Sequence, residues 1–297
     1  MTKKQSSVQP VGRVQAITGQ TGVGRMPLQM PDVERAGTVL GWDAAGAVAA
    51  EGAGPAVIVI CEHASAQMLA PWEDVGADVL ASHAASDPGA LGLARALGPH
   101  LARACGGAEL IHAPHSRLIY DLNRSPDRPD ACPAHSEIYA IPMNAGLSPA
   151  DRLARMEALY LPFHNLVRAR VARALALGQK PVIVTVHSFS PIWHGVARKV
   201  EFGVIHDAMP ALARRIVAQA DGLGLVTELN APYSAQDHVT HTLRLHALPY
   251  GLENAMLEIR NDLIATPQAQ TALAARLSAV LSRAIADVAE EVACPAL

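Results

Sequence analysis

The sequence predicts a single α/β domain of three layers, a mixed and largely parallel sheet held between two layers of helices. Short apolar runs without polar alternation, such as AVIVIC at 56–61 and KPVIVTVH at 180–187, read as strands buried on both faces, the state of parallel strands covered by helices. Helix-periodic stretches with start and stop signals alternate with those runs. The 297 residues are 50% hydrophobic and 17% charged, with a mean hydropathy of +0.17. That is the composition of a chain that buries a large core, not of a disordered one.

Residues 1–54 are rich in Gly, Ala and Gln with no sustained period, and read as a mobile tail with room for one short element. The sheet is expected to start at 56–61. Residues 88–107, PGALGLARALGPHLARACGG, carry Pro at the start and Gly at the end of a helical pattern, and AELIHAP follows as the second strand. A long helix over 148–178 has Ser148 as its N-cap, Pro149 at its first helical position and Gly178 at its end. The run at 180–187 is the next strand. FGVIHD (202–207), GLVTELN (224–230) and NAMLEIRNDL (254–263) read as further strands, and 267–291 as an amphipathic closing helix. No repeat or linker interrupts 56–291, so one domain is expected over 55–297.

Composition also excludes function classes. The net charge is −3, the pI is about 6.5, and basic residues are scattered, unlike the footprint of a nucleic-acid binder. Four distant cysteines (Cys61, Cys105, Cys132, Cys294) without a CxxC pair argue against a disulfide framework and a cysteine zinc cage, and fit a reducing cytoplasm. No apolar h-region follows MTKKQSSVQP and no apolar run reaches about 18 residues, so neither export nor membrane insertion is expected. The HExxH, GxSxG, P-loop and GxGxxG patterns are absent. Thirteen histidines, against five Tyr and three Phe, point to metal or acid–base chemistry instead.

In open α/β sheets ligands bind beyond the carboxyl ends of the strands. Those positions hold Glu62 and His63, then Asp121, Asn123 and Arg124, then His187 and Ser188, while Glu258 and Arg260 lie in or near the end of the last run. Each has a plain reading as well. A histidine after a strand satisfies a loop, Asn123 and Arg124 brace a turn before Pro126, and Glu258 forms a structural ion pair. A carboxylate flanked by Leu257 and Ile259 in a buried run nevertheless needs a partner to offset its desolvation, and a metal or an active-site arginine would supply one.

Taken together and in order, eight segments resemble the N-formylglutamate amidohydrolase family. They are VICEHAS (59–65), SHAASDPGALGLARAL (82–97), SRLIYDLNRSPD (116–127), AGLSPADRLAR (145–155), VHSFSP (186–191), PYSAQD (232–237), TLRLH (242–246) and LEIRNDLI (257–264). The resemblance implies a zinc carboxypeptidase-like fold, one zinc ion, and hydrolysis of a small N-acyl amino acid, N-formyl-L-glutamate foremost. VHSFS is similar to the carboxypeptidase segment that carries the last zinc-ligating histidine, here His187. DLNR is similar to the segment whose Asn–Arg pair holds a substrate carboxylate, here Asn123 and Arg124, and LEIRND to the strand with the catalytic glutamate, here Glu258.

The carboxypeptidase His-x-x-Glu pair is not kept, since Ala66 stands three residues after His63. Asp87 is therefore expected as the second ligand, with Glu62, Glu73 and His83 as alternatives. A zinc site of His63, Asp87 and His187 would leave one position for water and lower its pKa from about 15.7 to about 7. The resemblance gives Glu258 the water's proton and Arg124 the substrate α-carboxylate. Arg117, Arg244 or Arg260 is expected to stabilise the oxyanion or to hold a side-chain carboxylate. Two other readings stay open: a different acyl group or amino acid at the same site, and a non-catalytic relative that binds an acidic ligand.

Overall fold

The structure is a computed structural model and describes residues 36–49 and 55–293. Seven strands form one sheet: β1 (Thr38–Trp42), β2 (Val57–Cys61), β3 (Ala108–His112), β4 (Val182–Phe189), β5 (Phe202–Ile205), β6 (Thr227–Leu229) and β7 (Asn254–Arg260). Their spatial order is β1-β3-β2-β4-β7-β5-β6. Strands β3, β2, β4 and β7 run parallel, as the unbroken apolar runs predict. The sheet is mixed because β1 joins β3 antiparallel and β5, with β6 parallel beside it, lies antiparallel to β7.

Besides one short turn of helix at Ala77–Leu80, the helices are α1 (Ala90–Cys105), α2 (Pro149–Arg155), α3 (Leu161–Ala176), α4 (Ala211–Ala218), α5 (His241–His246) and α6 (Pro267–Ala293). Side-chain alternation along the strands sets the layers. Val57, Val59 and Cys61 pack with residues of α1, α4 and α6 on one face, while Ile58 and Ile60 pack with residues of α3 and α5 on the other. Each of these strand side chains is fully buried, and each such Val or Ile contributes about 1.5–3 kcal/mol.

Ser148 and Asp151 form a reciprocal capping box that starts α2. The helix expected over 148–178 is not uniform, because a π-helical turn, Met156–Tyr160, separates α2 from α3. Pro162, in the first turn of α3, has no N–H to continue an α ladder, and the wider turn accommodates it. Gly106, at φ 94°, ends α1.

The sheet does not begin at 56. Thr38–Trp42, from the stretch read as a tail, is its edge strand, and Leu40 and Trp42 pack on one core while Val39 packs on the other. The rest of that stretch, 1–35 and 50–54, lies outside the described residues, as does Cys294. The strands expected at 202–207, 224–230 and 254–263 shorten to β5, β6 and β7, and a 3-10 turn, Asn261–Ile264, follows the last. Two small hairpins pair His135–Ser136 with Tyr139–Ala140 and Ile192–Trp193 with Val196–Ala197. No helix among the described residues is long and apolar enough to cross a membrane.

Candidate active site

His187 and Glu258 are register partners on the parallel strands β4 and β7. In-register neighbours point the same way, so the two side chains stand side by side on the face that Ile183 and Met256 share. His63 lies two residues beyond β2, and its carbonyl accepts a hydrogen bond from Asp87 N at 2.9 Å. Asp87 is delivered by the turn into α1. Gly89 has φ +80°, and a Cβ there would lie 2.3 Å from Ile264 O, so only glycine fits that turn.

Three potential ligand atoms converge. His63 Nδ1 lies 3.3 Å from Asp87 Oδ2, His187 Nδ1 lies 2.9 Å from the same oxygen, and the two Nδ1 atoms are 3.2 Å apart. All three residues are buried. Tetrahedral bonds of about 2.0–2.1 Å put donor atoms about 3.3 Å apart, so this triangle has the dimensions a zinc ion requires.

The opposite edges of both imidazoles face carboxylates. His63 Nε2 donates to Asp121 Oδ1 at 2.7 Å, which leaves Nδ1 as a lone pair. Glu62 Oε2 lies 3.2 Å from His187 Nε2, close enough for charge attraction though poorly aligned for a hydrogen bond. Arg117 donates to Asp87 Oδ1 at 3.1 Å and to Asp121 Oδ2 at 2.9 Å, tying the two aspartates together.

Burial opposes charge on each of these groups, and the partners outweigh it. Burial and Arg117 depress the His63 pKa, but Asp121 and Asp87 carry it above the usual histidine value. Glu62 and Asp87 raise that of His187 well above it despite burial. Burial favours the neutral acid at Glu62, but His187 holds its pKa down to about 2. Glu258 goes the other way. Burial, with the charge of Asp87 adding to it, raises its pKa to about 7 even though His187 pulls it down, and its Oε2 is buried without a hydrogen-bond partner. A carboxyl with a raised pKa beside a cluster of candidate metal ligands can accept a proton and give it back.

A cavity of about 380 Å³ opens over the cluster, and His63, Asp87, His187, Glu258, Arg117, Asn123 and Arg124 all line it. Arg124 is braced through Nε to Asp130 at 3.1 Å and through Nη1 to the carbonyls of Asn123 (3.0 Å) and His238 (3.4 Å), so only Nη2 keeps free donors. The Asn123 amide is committed to the protein: it donates to Val239 O at 2.5 Å and accepts from Thr242 N at 3.0 Å. Arg244 and Arg260 are not brought here. Arg244 pairs with Asp207 and lines a separate pocket. Arg260 is held by Glu201 at 3.1 Å and Asp262 at 2.8 Å. Of the alternative ligands, Glu62 stands behind His187 outside the triangle, His83 pairs with Glu137 at 3.0 Å in the cavity wall, and Glu73 is exposed in a loop.

Sequence reasoning missed Tyr233 in the cavity wall and the role of Asp121 as the second partner of His63. Asp121 stood in the DLNR segment, where the resemblance spoke of Asn123 and Arg124 and gave Asp121 no role of its own. Tyr233 arrives because the chain after β6 crosses directly over β5. A Cβ on Gly203 would lie 1.9 Å from Ala231 O and 3.3 Å from Glu258 Cβ, so glycine alone permits the crossing. Asn230 pins it, donating from its N–H to Val204 O at 2.9 Å and accepting at its side-chain oxygen from His206 N at 3.1 Å.

A mixed α/β sheet that gathers two histidines, an aspartate and a buried glutamate with an unpartnered oxygen at one strand edge has the build of a hydrolytic enzyme with a candidate metal centre. The sequence model of the N-formylglutamate amidohydrolases matches residues 55–265, and the chain belongs to that family of amidohydrolases. Among solved structures, the gene product Atu2144 from Agrobacterium tumefaciens is similar at 45% identity and a TM-score of 0.78, over 86% of this chain and 96% of that one. An N-formylglutamate amidohydrolase from Ralstonia eutropha JMP134 shares the fold at 18% identity and a TM-score of 0.55, over 86% of this chain and 99% of that one. A metallo-carboxypeptidase from Burkholderia cenocepacia is a remote match at 12% identity and a TM-score of 0.39, over 88% of this chain and 66% of that one. No curated protein matches the sequence.

Proposed function

We propose that this chain hydrolyses the amide of N-formyl amino acids, N-formyl-L-glutamate foremost, to formate and the free amino acid. The observation that carries the reading is the convergence of His63 Nδ1, Asp87 Oδ2 and His187 Nδ1 beside the unpartnered Glu258 Oε2. Those residues fit one zinc ion, whose Lewis acidity polarises the formyl oxygen and acidifies water when it is bound. Glu258 accepts the proton of the attacking water as the C–O bond forms, and delivers it to the amide nitrogen as the C–N bond breaks. Arg124, held rigid by Asp130, turns its free Nη2 to the α-carboxylate. Asn123 shapes the wall by fastening its loop to Val239 and Thr242. Arg117 keeps Asp87 and Asp121 in place rather than reaching an oxyanion. The free thiols of Cys61, Cys105 and Cys132 suit a reducing cytoplasm.

The test is formate release from N-formyl-L-glutamate before and after chelation, with zinc restored afterwards. Loss on chelation and recovery with zinc is the expected result. Full turnover after complete metal removal would take the metal out of the reading, and absence of formate from the zinc-loaded protein would take out the substrate.

A further inference from the structure

With Arg117 tied to two aspartates and Arg244 and Arg260 held elsewhere, none of the three arginines expected to hold a substrate side chain is free to do so. Arg198, just past the second hairpin, stands differently. Its guanidinium carbon lies 5.0 Å from the ring centroid of Trp193, 4.9 Å from that of Tyr233 and 5.4 Å from that of Phe189. Its Nη1 donates to the Tyr233 hydroxyl at 3.1 Å and to Ser190 O at 3.4 Å. All four of these neighbours line the cavity, and Arg198 stands one layer behind them, reaching toward it through Tyr233.

Among the described residues no carboxylate pairs with Arg198, and its Nε and Nη2 make no hydrogen bond. The two arginines that line the cavity do have acidic partners, Arg117 in Asp87 and Asp121, and Arg124 in Asp130. The nearby Glu137 is already engaged, with His83 at 3.0 Å and with His194 N at 2.8 Å. Three ring faces attract a cation but cannot accept the in-plane fork of N–H donors that a guanidinium presents. A carboxylate can, through two parallel charge-assisted bonds.

We infer that Arg198 is the specificity-determining residue of this site and takes the side-chain carboxylate of the substrate, selecting acidic N-acyl amino acids over neutral ones of the same shape. The inference rests on the N-acyl amino acid reading given above. Tyr233, whose hydroxyl accepts from Arg198, keeps the guanidinium oriented while its own O–H stays available to the same carboxylate.

The experiment compares N-formyl-L-glutamate with N-formyl-L-glutamine, nearly equal in shape and different in side-chain charge, on the zinc-loaded wild type, Arg198→Gln and Arg198→Lys. In the wild type kcat/KM favours the acid by about 10- to 100-fold. Arg198→Gln abolishes that preference by losing on the acid, with less than about a 3-fold change on the amide. Arg198→Lys keeps the charge but not the fork, and retains part of the preference. If Arg198 only fastens the hairpin to the sheet, both substrates suffer equally, and equal losses or an intact preference in Arg198→Gln overturn the inference. A wild type that hydrolyses neither compound overturns the functional reading instead. Calorimetric binding of L-glutamate against L-glutamine then still reads Arg198: a preference for the diacid that disappears in Arg198→Gln sustains the inference, and one that is absent or unchanged removes it.

Discussion

Buried histidines form two groups in this molecule, and their surroundings drive them in opposite directions. His63 and His187 are raised, because carboxylates on their far edges outweigh burial. His164 of α3 and His246 of α5 are pushed down, to about 3 and about 4, by burial and then by the neighbouring imidazoles. His164 Nε2 donates to Leu122 O at 2.9 Å, so its Nδ1 accepts from His246 Nε2 at 2.8 Å, and the rings stack at 5.1 Å. His241 completes that layer against the Tyr160 hydroxyl at 2.7 Å. Burial is common to both groups. What separates a ligand candidate from a structural histidine is where its inward ring nitrogen points: to a point shared with an anion in one group, to a neighbour's N–H in the other.

Substitution breaks or sharpens this contrast, and the largest effect is expected at the first group. His63→Ala and His187→Ala each lose stoichiometric zinc, and formate release with it, while His246→Gln keeps the full metal content. Metal analysis after dialysis checks this, and undiminished zinc affinity in either alanine variant would dissolve the contrast.

Next comes Glu258→Gln, which keeps shape and removes basicity. It should lower kcat by at least about 10²-fold with zinc content close to wild type. Zinc lost in parallel with activity would make Glu258 a ligand and displace Asp87.

Arg124→Lys should cost about 1.5–3 kcal/mol in kcat/KM on N-formyl-L-glutamate, the scale of a hydrogen bond to a charged group. The loss should nearly vanish on the analogue whose α-carboxylate is an amide. A coupling of zero over the two proteins and two substrates would return Arg124 to bracing its turn with Asp130.

The smallest effect is one of stability. His164 and His246 titrate far lower folded than the ordinary histidine value near 6.5, so the unfolded chain binds more protons in the interval between. Their contribution is complete above pH 6.5 and is lost as pH falls toward 4, by about 1 kcal/mol for each over the first pH unit. Denaturant midpoints follow that loss. His246→Gln can still donate to His164 but does not titrate, and should remove one histidine's share of the slope. An unchanged slope would show that the layer is not what acid attacks.

Much of this was written in the sequence at the centre of the sheet and little at its margins. The strands at 57–61, 108–112, 182–189 and 254–260 are buried on both faces because parallel strands there are covered twice, and their apolar residues run on without polar alternation. The edge strand β1 is short, half-buried and interrupted by Gly41, so it left no period. Helices α4 and α5 span 8 and 6 residues, too few turns to declare a face. In the site, position at the strand ends pointed to His63, His187 and Glu258, the resemblance added Asp87, and the structure brings the four to one cavity. The arginines were not so easily sorted, since whether a guanidinium faces the cavity or an ion pair depends on acids distant in the chain. Glu201 takes Arg260 and Asp207 takes Arg244, whereas among the described residues no carboxylate pairs with Arg198.

The crossing of the chain over Gly203 bears on the entropy of binding. A loop that carries a wall residue such as Tyr233 commonly orders when ligand arrives, and each immobilised side chain then subtracts from affinity. Here the backbone before Tyr233 is fastened to β5 through Asn230 and seated against a residue with no side chain. That ordering is completed when the sheet folds, so the amide of Asn230 should exchange with solvent as slowly as the strands do, and ligand should slow it no further.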